Sequence, residues 1–216
     1  MIVACVRTGT KYGPEYVTRL EAGVARHLQR EHRFVCLTDR PQDLPGVWTH
    51  DIGPTHLKGW WGKMALFDFA ARIGERVIYL DLDTVVVGDL TPLADLDCEF
   101  AICGSFTRAA GNLKWPCRYG SCIMSFAPGF GAEVWQQFTA APAHHMVEAG
   151  IYGDQMIIER LLPAATILQE VLPPGYFLGY RDLGAAKPGP CALVIFAGNS
   201  KPHNCNEDWI RTAWAA

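Results

Sequence analysis

The sequence predicts an α/β fold in which a mainly parallel central sheet is flanked by helices. Strand-like and helical patterns alternate along the first part of the chain, which is typical of such sheets. One short apolar run, Val77–Leu80, leads directly into Asp81 and Asp83, and ligands of open α/β sheets bind beyond the carboxyl ends of such strands. Because 216 residues suffice to bury one full core, we expect a single domain spanning residues 1–216.

The first half of the chain, about residues 1–97, is predicted to be Rossmann-like and to bind a nucleotide. Its apolar runs have the length of strands, and its first helix begins at Pro14, a residue favoured in the first turn of a helix. In chain order the predicted elements are a strand at 2–6, a helix from Pro14, strands at 34–37 and 47–52, a helix at 61–73 and the strand Val77–Leu80.

The second half, residues 98–216, is less regular but continues the same fold. Its apolar runs predict further strands, and two stretches of helical spacing predict helices. The last strand is followed by a polar segment at 198–204. The predicted elements are strands at 100–103, 121–126 and 193–196, and helices at 130–141 and 154–162.

Composition excludes several classes of protein. The net charge of −3 and the lack of a lysine and arginine cluster argue against a nucleic-acid partner. No apolar run approaches the ~18 residues of a transmembrane helix. The amino terminus lacks the charged region of a signal peptide, so a cytoplasmic location is expected. Peripheral membrane contact and the oligomeric state stay open.

The eight cysteines do not indicate a metal or redox site. They contain no Cys-x-x-Cys spacing, which argues against a zinc knuckle and against a thioredoxin-like pair. Cys117 and Cys122 are close enough in sequence to form a bridge, but reduced thiols are favoured in a chain without an export signal.

The two aspartates after Val77–Leu80 are the strongest chemical signal in the chain. Two carboxylates at one buried strand end repel each other unless they hold a cation or share a proton. A divalent ion with phosphate oxygens in its remaining coordination positions would satisfy both. The motif is short enough to occur by chance, and Asp95-Leu96-Asp97 is a second example that we expect on a solvated loop.

The order of these segments resembles glycosyltransferases of the GT-A fold, especially the glycogenin-like, family-8-like group. The first strand with a downstream tyrosine and the strand that ends in Asp-x-Asp are similar to the nucleotide-binding part of that fold. Residues 98–216 would then be the half that binds the acceptor and carries a C-terminal closing loop. The resemblance rests on Tyr12, Gly62-Lys63-Met64, Asp81-Leu82-Asp83, Tyr119-Gly120-Ser121-Cys122, Gly153-Asp154-Gln155 and the segment from Phe196 to Pro202.

This resemblance implies a metal-dependent transfer of a sugar from a nucleotide-diphosphate donor, a UDP-sugar, to a carbohydrate or glycoconjugate acceptor, with retention of configuration. It implies Mn²⁺ (or Mg²⁺) as the cofactor, held by Asp81 and Asp83. The residues implied in catalysis are Asp154, Gln155 and Lys63. The residues implied in donor binding are Thr8, Gly9, Tyr12, Asp39, Lys63, Leu82, Gly120, Ser121, Gly198 and Lys201.

The sequence departs from the family pattern at four positions. The metal-binding histidine of the family falls at Ile195, and its terminal tryptophan falls at His203. The usual asparagine of the sugar segment is Gly120, and the aspartate after Asp-Gln is Met156. Because Ile195 cannot bind a metal, we predict His203 as the third protein ligand, with a water molecule in that position as the alternative.

Other interpretations of the same residues stay open. A haloacid-dehalogenase-like phosphatase would use Asp81 as nucleophile and Asp83 as general acid, although such enzymes usually carry this motif on the first strand. A non-catalytic nucleotide-sugar binding protein is the other alternative. Asp39 fits turn chemistry as well as a ribose contact, and Asp154 fits a helix cap. The pair Trp60-Trp61 fits a sugar-stacking wall or simple core packing.

Overall fold

A seven-stranded sheet forms the centre of the fold, with helices on both faces, which confirms the predicted α/β class. This computed structural model describes residues 1–109, 111–112, 114–183 and 189–215. In chain order the strands are β1 (Ile2–Arg7), β2 (Arg33–Thr38), β3 (Thr49–Asp51), β4 (Val77–Leu80), β5 (Thr84–Val86), β6 (Phe100–Gly104), β7 (Tyr119–Phe126), β8 (Thr166–Ile167), β9 (Phe177–Gly179) and β10 (Leu193–Ile195).

The central sheet is mainly parallel, as the sequence predicts. Its strand order is β3-β2-β1-β4-β7-β6-β8, and only the pairings of β7 with β4 and with β6 are antiparallel. A second, three-stranded sheet has the order β5-β10-β9. The helices are α1 (Pro14–His27), α2 (Ala65–Ile73), α3 (Thr91–Ala94), α4 (Phe106–Ala109), α5 (Ala132–Ala140), α6 (Pro142–Ala149), α7 (Asp154–Leu161), α8 (Leu168–Val171) and α9 (Asp208–Ala215).

Both faces of β4 are buried, which explains its continuous apolar sequence. Ile78 and Leu80 belong to a core cluster that also contains the inner face of α1 and the second sheet. Val77 and Tyr79 point the other way, into a cluster with α2, α5 and α7. Successive side chains of a strand alternate between its faces, so the two cores meet at this strand.

Several predicted boundaries are wrong. The helix expected at 61–73 begins instead as a 3-10 helix over Gly59–Met64 and becomes α2 only at Ala65. A Cβ atom on Gly62 would lie 2.7 Å from the Thr8 Cγ2 atom, so this segment packs tightly on the end of β1. The predicted 47–52 strand shortens to β3, an edge strand.

The sequence patterns missed the shortest elements and two helices. Strands β5, β8 and β9 contain two or three residues each, too few for a period-two pattern to stand out. Helices α6 and α9 were also not predicted. The segment just before the Asp95-Leu96-Asp97 triplet, for which no helix was predicted, is the short helix α3. All eight cysteines are free thiols.

The topology gathers several chain segments at one edge of the central sheet. The parallel strands β1, β2, β4 and β6 all end there. Because β7 runs in the opposite direction, its first residues reach the same edge, where the Asp81 amide donates a 2.9 Å hydrogen bond to the Cys122 carbonyl. Within the described residues, no helix is both long and apolar enough to cross a membrane.

Gly131 provides a test of this packing. Its φ is +122°, and a Cβ atom there would lie 2.4 Å from the Phe67 carbonyl oxygen, which belongs to the rigid backbone of α2. We therefore expect Gly131→Ala to lower the free energy of unfolding by about 2–4 kcal/mol. Chemical denaturation measures this quantity.

The matched control is Gly129→Ala in the same turn. Gly129 also has a positive φ, +78°, but a Cβ atom there would have no neighbour within 4 Å. Only the backbone cost of about 1–2 kcal/mol applies at this position. Equal losses for the two variants would contradict the close approach of α2 to Gly131.

Candidate active site

Two adjoining cavities open at the carboxyl edge of the central sheet. The first, which we call the Tyr12 cavity, has a volume of about 330 Å³ and is lined by Val6, Thr8, Lys11, Tyr12, Gly59, Trp60, Lys63 and Asp81. The second, the Gln155 cavity, has a volume of about 310 Å³, and its polar lining includes Lys63, Asp81, Ser121, Asp154 and Gln155. Trp60, Lys63 and Asp81 line both cavities, so the two spaces share one wall.

Asp81 lies where the two cavities meet, and both of its carboxylate oxygens are engaged. The Lys63 ammonium donates to Oδ2 at 2.9 Å, and the Tyr79 hydroxyl donates to Oδ1 at 2.5 Å. Lys63 also donates to the Ser121 carbonyl at 3.2 Å. Burial acts to lower the pKa of Lys63, but the charges of Asp81 and Asp154 outweigh it and raise that pKa. Lys63 is therefore favoured in its charged form beside Asp81.

Asp83 is more deeply buried than Asp81. Its Oδ2 atom accepts a 2.9 Å hydrogen bond from the Tyr12 hydroxyl and a 2.5 Å ion pair from the Lys201 ammonium. Burial and the neighbouring charge of Asp81 raise the pKa of Asp83, and Lys201 acts against them. The two aspartates thus behave as the predicted repelling pair, each compensated by one lysine.

The donor set at these aspartates fits a divalent ion that takes its remaining ligands from phosphate and water. Mg²⁺ commonly binds through one or two carboxylates together with substrate phosphates. Among the described residues, no three histidine, cysteine or acidic side chains come together as a metal site. Asp81 and Asp83 are the only predicted ligands that the structure brings together.

His203 does not lie with the two aspartates. Its Nδ1 atom is hydrogen-bonded with the Tyr16 hydroxyl, and its ring packs 6.5 Å from that of Trp214. It lines a third cavity, of about 300 Å³, together with Lys11, Tyr12 and Lys201. Ile195 is buried in β10 at 4% exposure. A role for His203 as third ligand stays a prediction that requires its side chain to leave Tyr16.

The loop after β1 contributes Thr8, Lys11 and Tyr12 to the Tyr12 cavity, and it contacts the loop that begins at Asp39 after β2. Asp39 accepts a 2.9 Å hydrogen bond from the Gly9 amide and a 2.8 Å ion pair from Lys58. Burial acts to raise the pKa of Asp39, but the bonds from Lys58 and Gly9 together lower it. Asp39 therefore holds the two loops together and does not line the cavity. The Thr8 hydroxyl donates to the Gly59 carbonyl at 3.2 Å.

The remaining predicted residues divide between the Gln155 cavity and the core. Gly120, Ser121, Asp154, Gln155 and Gly198 line the cavity. The Leu82 side chain is packed in the core cluster around α1 and lines neither cavity.

The absence of a side chain at Gly120 has a structural reason. A Cβ atom there would lie 3.3 Å from the Gly104 carbonyl oxygen on the neighbouring strand β6. The register of β6 and β7 shifts between Ile102 and Cys103, next to this contact. The close approach disfavours the asparagine that the family usually carries at this position.

Asp154 is a buried acid at the start of α7. Burial raises its pKa, and the charge of Lys63 only partly offsets this effect. Among the described residues, its Oδ2 atom has no hydrogen-bond partner. The helix-cap interpretation is not supported, since no side-chain capping bond forms at the start of α7. The residue lines the Gln155 cavity, although this oxygen is itself buried, so a small movement of the side chain would let it bind a hydroxyl group of a ligand.

Sequence reasoning missed several residues of this site. Tyr79 stands two residues before Asp81 on the same strand face, a spacing that could have indicated the contact. Arg7 and Lys58 gave no signal of their own. The pair Trp60-Trp61 divides: Trp60 is 50% exposed and lines both cavities, whereas Trp61 stacks on Phe138 in the core.

The second Asp-x-Asp triplet lies outside this site, as expected. Asp95 follows α3 and forms an exposed ion pair of 2.7 Å with Arg30. Asp97 is exposed as well. Position at the carboxyl edge of the sheet therefore separates the two triplets, since their sequences alone are alike.

Comparisons of the sequence with protein-family models and with curated proteins give no match. Solved structures do match. The galactosyltransferase LgtC, in complex with donor and acceptor sugar analogues, aligns at 14% identity and a TM-score of 0.69, over 99% of this chain and 94% of LgtC. The glycosyltransferase GlyE of Streptococcus pneumoniae TIGR4 aligns at 18% identity and a TM-score of 0.71, over 99% of this chain and 60% of GlyE.

The bifunctional glycosyltransferase WbbM aligns at 14% identity and a TM-score of 0.67, over all of this chain and 49% of WbbM. Identities this low establish the fold alone. The chain therefore has the GT-A fold of glycosyltransferases. Its candidate active site lies where ligands bind in open α/β sheets, at the carboxyl ends of the strands.

The buried acid in this site should make the stability of the protein depend on pH. Because the pKa of Asp154 is raised in the folded state, the folded protein binds a proton more tightly than the unfolded chain. The wild type should therefore lose stability as pH rises from the unfolded pKa of about 3.9 through the folded pKa. Asp154→Asn lacks this loss, so we expect the variant to be more stable than the wild type at pH 7.

The measurement is the difference in free energy of unfolding between Asp154→Asn and the wild type across this pH range. The advantage of the variant should be smallest at acid pH and become constant above the folded pKa. An advantage that is greatest at acid pH would mean that Asp154 is stabilised in its charged form.

Proposed function

We propose that the protein is a metal-dependent glycosyltransferase that moves a sugar from a nucleotide-diphosphate donor, a UDP-sugar, to a carbohydrate or glycoconjugate acceptor. The observation that carries the proposal is the shared wall of the two cavities. Lys63 and Asp81 line both, with Tyr12 on one side and Asp154 and Gln155 on the other. An elongated ligand with a planar group at one end and hydroxyl groups at the other fits this arrangement.

The proposed donor spans the shared wall. Its base would stack on the ring of Tyr12, because a planar base packs well against an aromatic face. Its diphosphate would lie beside Asp81 and Asp83, near the ammonium groups of Lys63 and Lys201. The sugar would enter the Gln155 cavity, where one of its hydroxyl groups would bind the Asp154 carboxyl group, whose buried Oδ2 atom has no partner among the described residues.

The charges at the shared wall and beside it fit the charge that such a reaction develops. Asp83 and Lys201 line neither of the two cavities, but Asp83 accepts a hydrogen bond from Tyr12, which lines the first. As the bond between sugar and phosphate breaks, negative charge accumulates on the nucleoside diphosphate. Mn²⁺ or Mg²⁺ held by Asp81 and Asp83 would stabilise that charge as a Lewis acid. Lys63 and Lys201 add fixed positive charge at the same place, and burial strengthens this interaction.

Gln155 is the proposed residue at the reacting carbon. It follows Asp154 at the start of α7, and both line the cavity proposed for the sugar. An amide oxygen that faces the anomeric carbon suits a transfer with retention. Asp154 would orient the sugar, and the rest of the cavity would be open to the acceptor.

The phosphatase alternative has less support from the position of the motif. Asp81 follows β4, the fourth strand of the chain, whereas such enzymes usually carry this motif on the first strand. Turnover of a nucleotide sugar separates the proposed enzyme from a non-catalytic binder, and a phospho-aspartate intermediate would identify a phosphatase.

The first test is the linkage between metal and nucleotide. If Asp81 and Asp83 hold the ion together with the diphosphate, the affinity for UDP should fall at least about 10-fold when a chelator removes Mn²⁺. Isothermal titration calorimetry measures this. Asp83→Ala should abolish both the metal effect and the transfer of sugar.

The second Asp-x-Asp triplet supplies the matched control. Asp97→Ala removes an exposed aspartate of the same motif type and should leave UDP binding unchanged. Equal UDP affinity with and without metal in the wild type would refute the metal part of the proposal.

The role of His203 is tested separately. We propose that a closing movement of the segment after β10 brings His203 to the ion as the third protein ligand. In that case His203→Ala should lower the affinity for Mn²⁺ in the presence of UDP by about 10-fold or more. Tyr16→Phe, which removes only the present hydrogen-bond partner of His203, should not lower it. Unchanged Mn²⁺ affinity in His203→Ala would assign the position to water.

A further inference from the structure

Arg7 is a buried charge that the proposed reaction does not use directly. We propose that Arg7 is a positioning residue that holds Tyr12 where the nucleotide base binds, an inference that rests on the proposed function. Arg7 ends β1 and is only 4% exposed, yet it lines neither the Tyr12 cavity nor the Gln155 cavity. A guanidinium in such a place is retained only if its hydrogen bonds are satisfied.

The contacts of Arg7 run in two directions. Its Nε atom donates to the main-chain carbonyl of Tyr12 at 2.9 Å. Its Nη1 and Nη2 atoms donate to Oδ2 of Asp43 at 3.2 Å and 3.3 Å. Asp43 in turn accepts a 2.6 Å bond from Arg40, so the carboxylate that orients Arg7 is itself held in place.

The loop that carries Tyr12 depends on such contacts for its shape. Residues 8–13 form neither helix nor strand, and Gly9 has a φ of +63°. Asp39 holds the start of this loop through the Gly9 amide, and Arg7 holds its end through the Tyr12 carbonyl. The direction of the Tyr12 ring follows from the position of this backbone, because side-chain rotamers are set relative to it.

Tyr12 has a second anchor, but that anchor belongs to the reaction site. Its hydroxyl donates to Asp83, a proposed metal ligand that also binds Lys201. Binding of a metal and a diphosphate would change what Asp83 contacts. The bond from Arg7 is to the main chain of Tyr12 and involves neither Asp83 nor Lys201, so those ligands would not compete for it. Arg7 therefore keeps the Tyr12 ring, on which the base would stack, in place while the contacts of Asp83 change.

The geometry requires arginine in particular. The planar guanidinium donates along two edges at once, toward Tyr12 and toward Asp43, whereas a lysine ammonium is a point charge on a flexible stem. Arg7→Lys keeps the positive charge but loses the ability to donate in these two fixed directions. The lysine should still form an ion pair with Asp43, but the Tyr12 main-chain carbonyl should lose its hydrogen bond from residue 7.

The experiment is a double-mutant cycle on UDP binding, measured by calorimetry with Mn²⁺ present. Arg7→Lys should weaken UDP binding by about 10-fold in the wild-type background. In the Tyr12→Ala background it should have no further effect, because Arg7 acts through a side chain that is no longer there. A residue that only supports the fold would weaken UDP binding equally in both backgrounds.

Two further variants complete the design. Asp43→Asn keeps Arg7 and removes the charge that orients it, so it should weaken UDP binding by a smaller factor and serves if Arg7→Lys does not fold. Arg30→Lys is the matched control, because Arg30 forms a comparable two-bond pair with Asp95 at an exposed position away from the site. It should leave UDP binding unchanged.

The outcomes separate the two proposals. Equal UDP affinity in the wild type, Arg7→Lys and Asp43→Asn would overturn the positioning role. The role would also be overturned if Arg7→Lys lowered UDP affinity by the same factor in the wild-type and Tyr12→Ala backgrounds. A wild type that binds none of the nucleoside diphosphates UDP, GDP, ADP and CDP would overturn the proposed function itself, and the role of Arg7 with it.

Discussion

The site depends on the compensation of two negative charges at the end of one buried strand. Burial and the neighbouring charge of Asp81 both oppose the ionisation of Asp83, and each of the two carboxylates is paired with a lysine from another chain segment. Lys63 comes from the segment before α2 and Lys201 from the segment after β10. The two carboxylates that oppose each other at this sheet edge are also the groups that would hold a cation, and the two lysines would attract a diphosphate.

The antiparallel strand β7 makes this arrangement possible. In a wholly parallel sheet, the neighbour of β4 would bring its carboxyl end to the site. Instead β7 brings its first residues, so that the Ser121 carbonyl and hydroxyl face Lys63. These contacts satisfy the remaining hydrogens of a buried ammonium, which would otherwise carry a large desolvation cost. The antiparallel direction of β7 thus places hydrogen-bond acceptors beside the charge of Lys63.

Contacts outside the cavities shape the site as much as those that line them. Arg7 and Asp39 each hold one end of the loop after β1, and neither lines the two cavities. Both are charged groups with little solvent contact that bond to the main chain. A loop without helix or strand has no internal ladder of hydrogen bonds, so side chains from neighbouring elements supply its order. The precision of a site on loops therefore rests on such side chains.

The sequence by itself determined the α/β class, the main strands and the position of the Asp-x-Asp pair, because buried strands and amphipathic helices leave local periodic patterns. It also named Lys63, Asp154 and Gln155, which do meet in one cavity. Only the tertiary structure decided the partners: Lys201 on Asp83, the separation of His203 from both aspartates, and the contact of Arg7 with Tyr12. These depend on how distant segments cross at the sheet edge, and no local pattern in the chain encodes a contact between residues 118 positions apart.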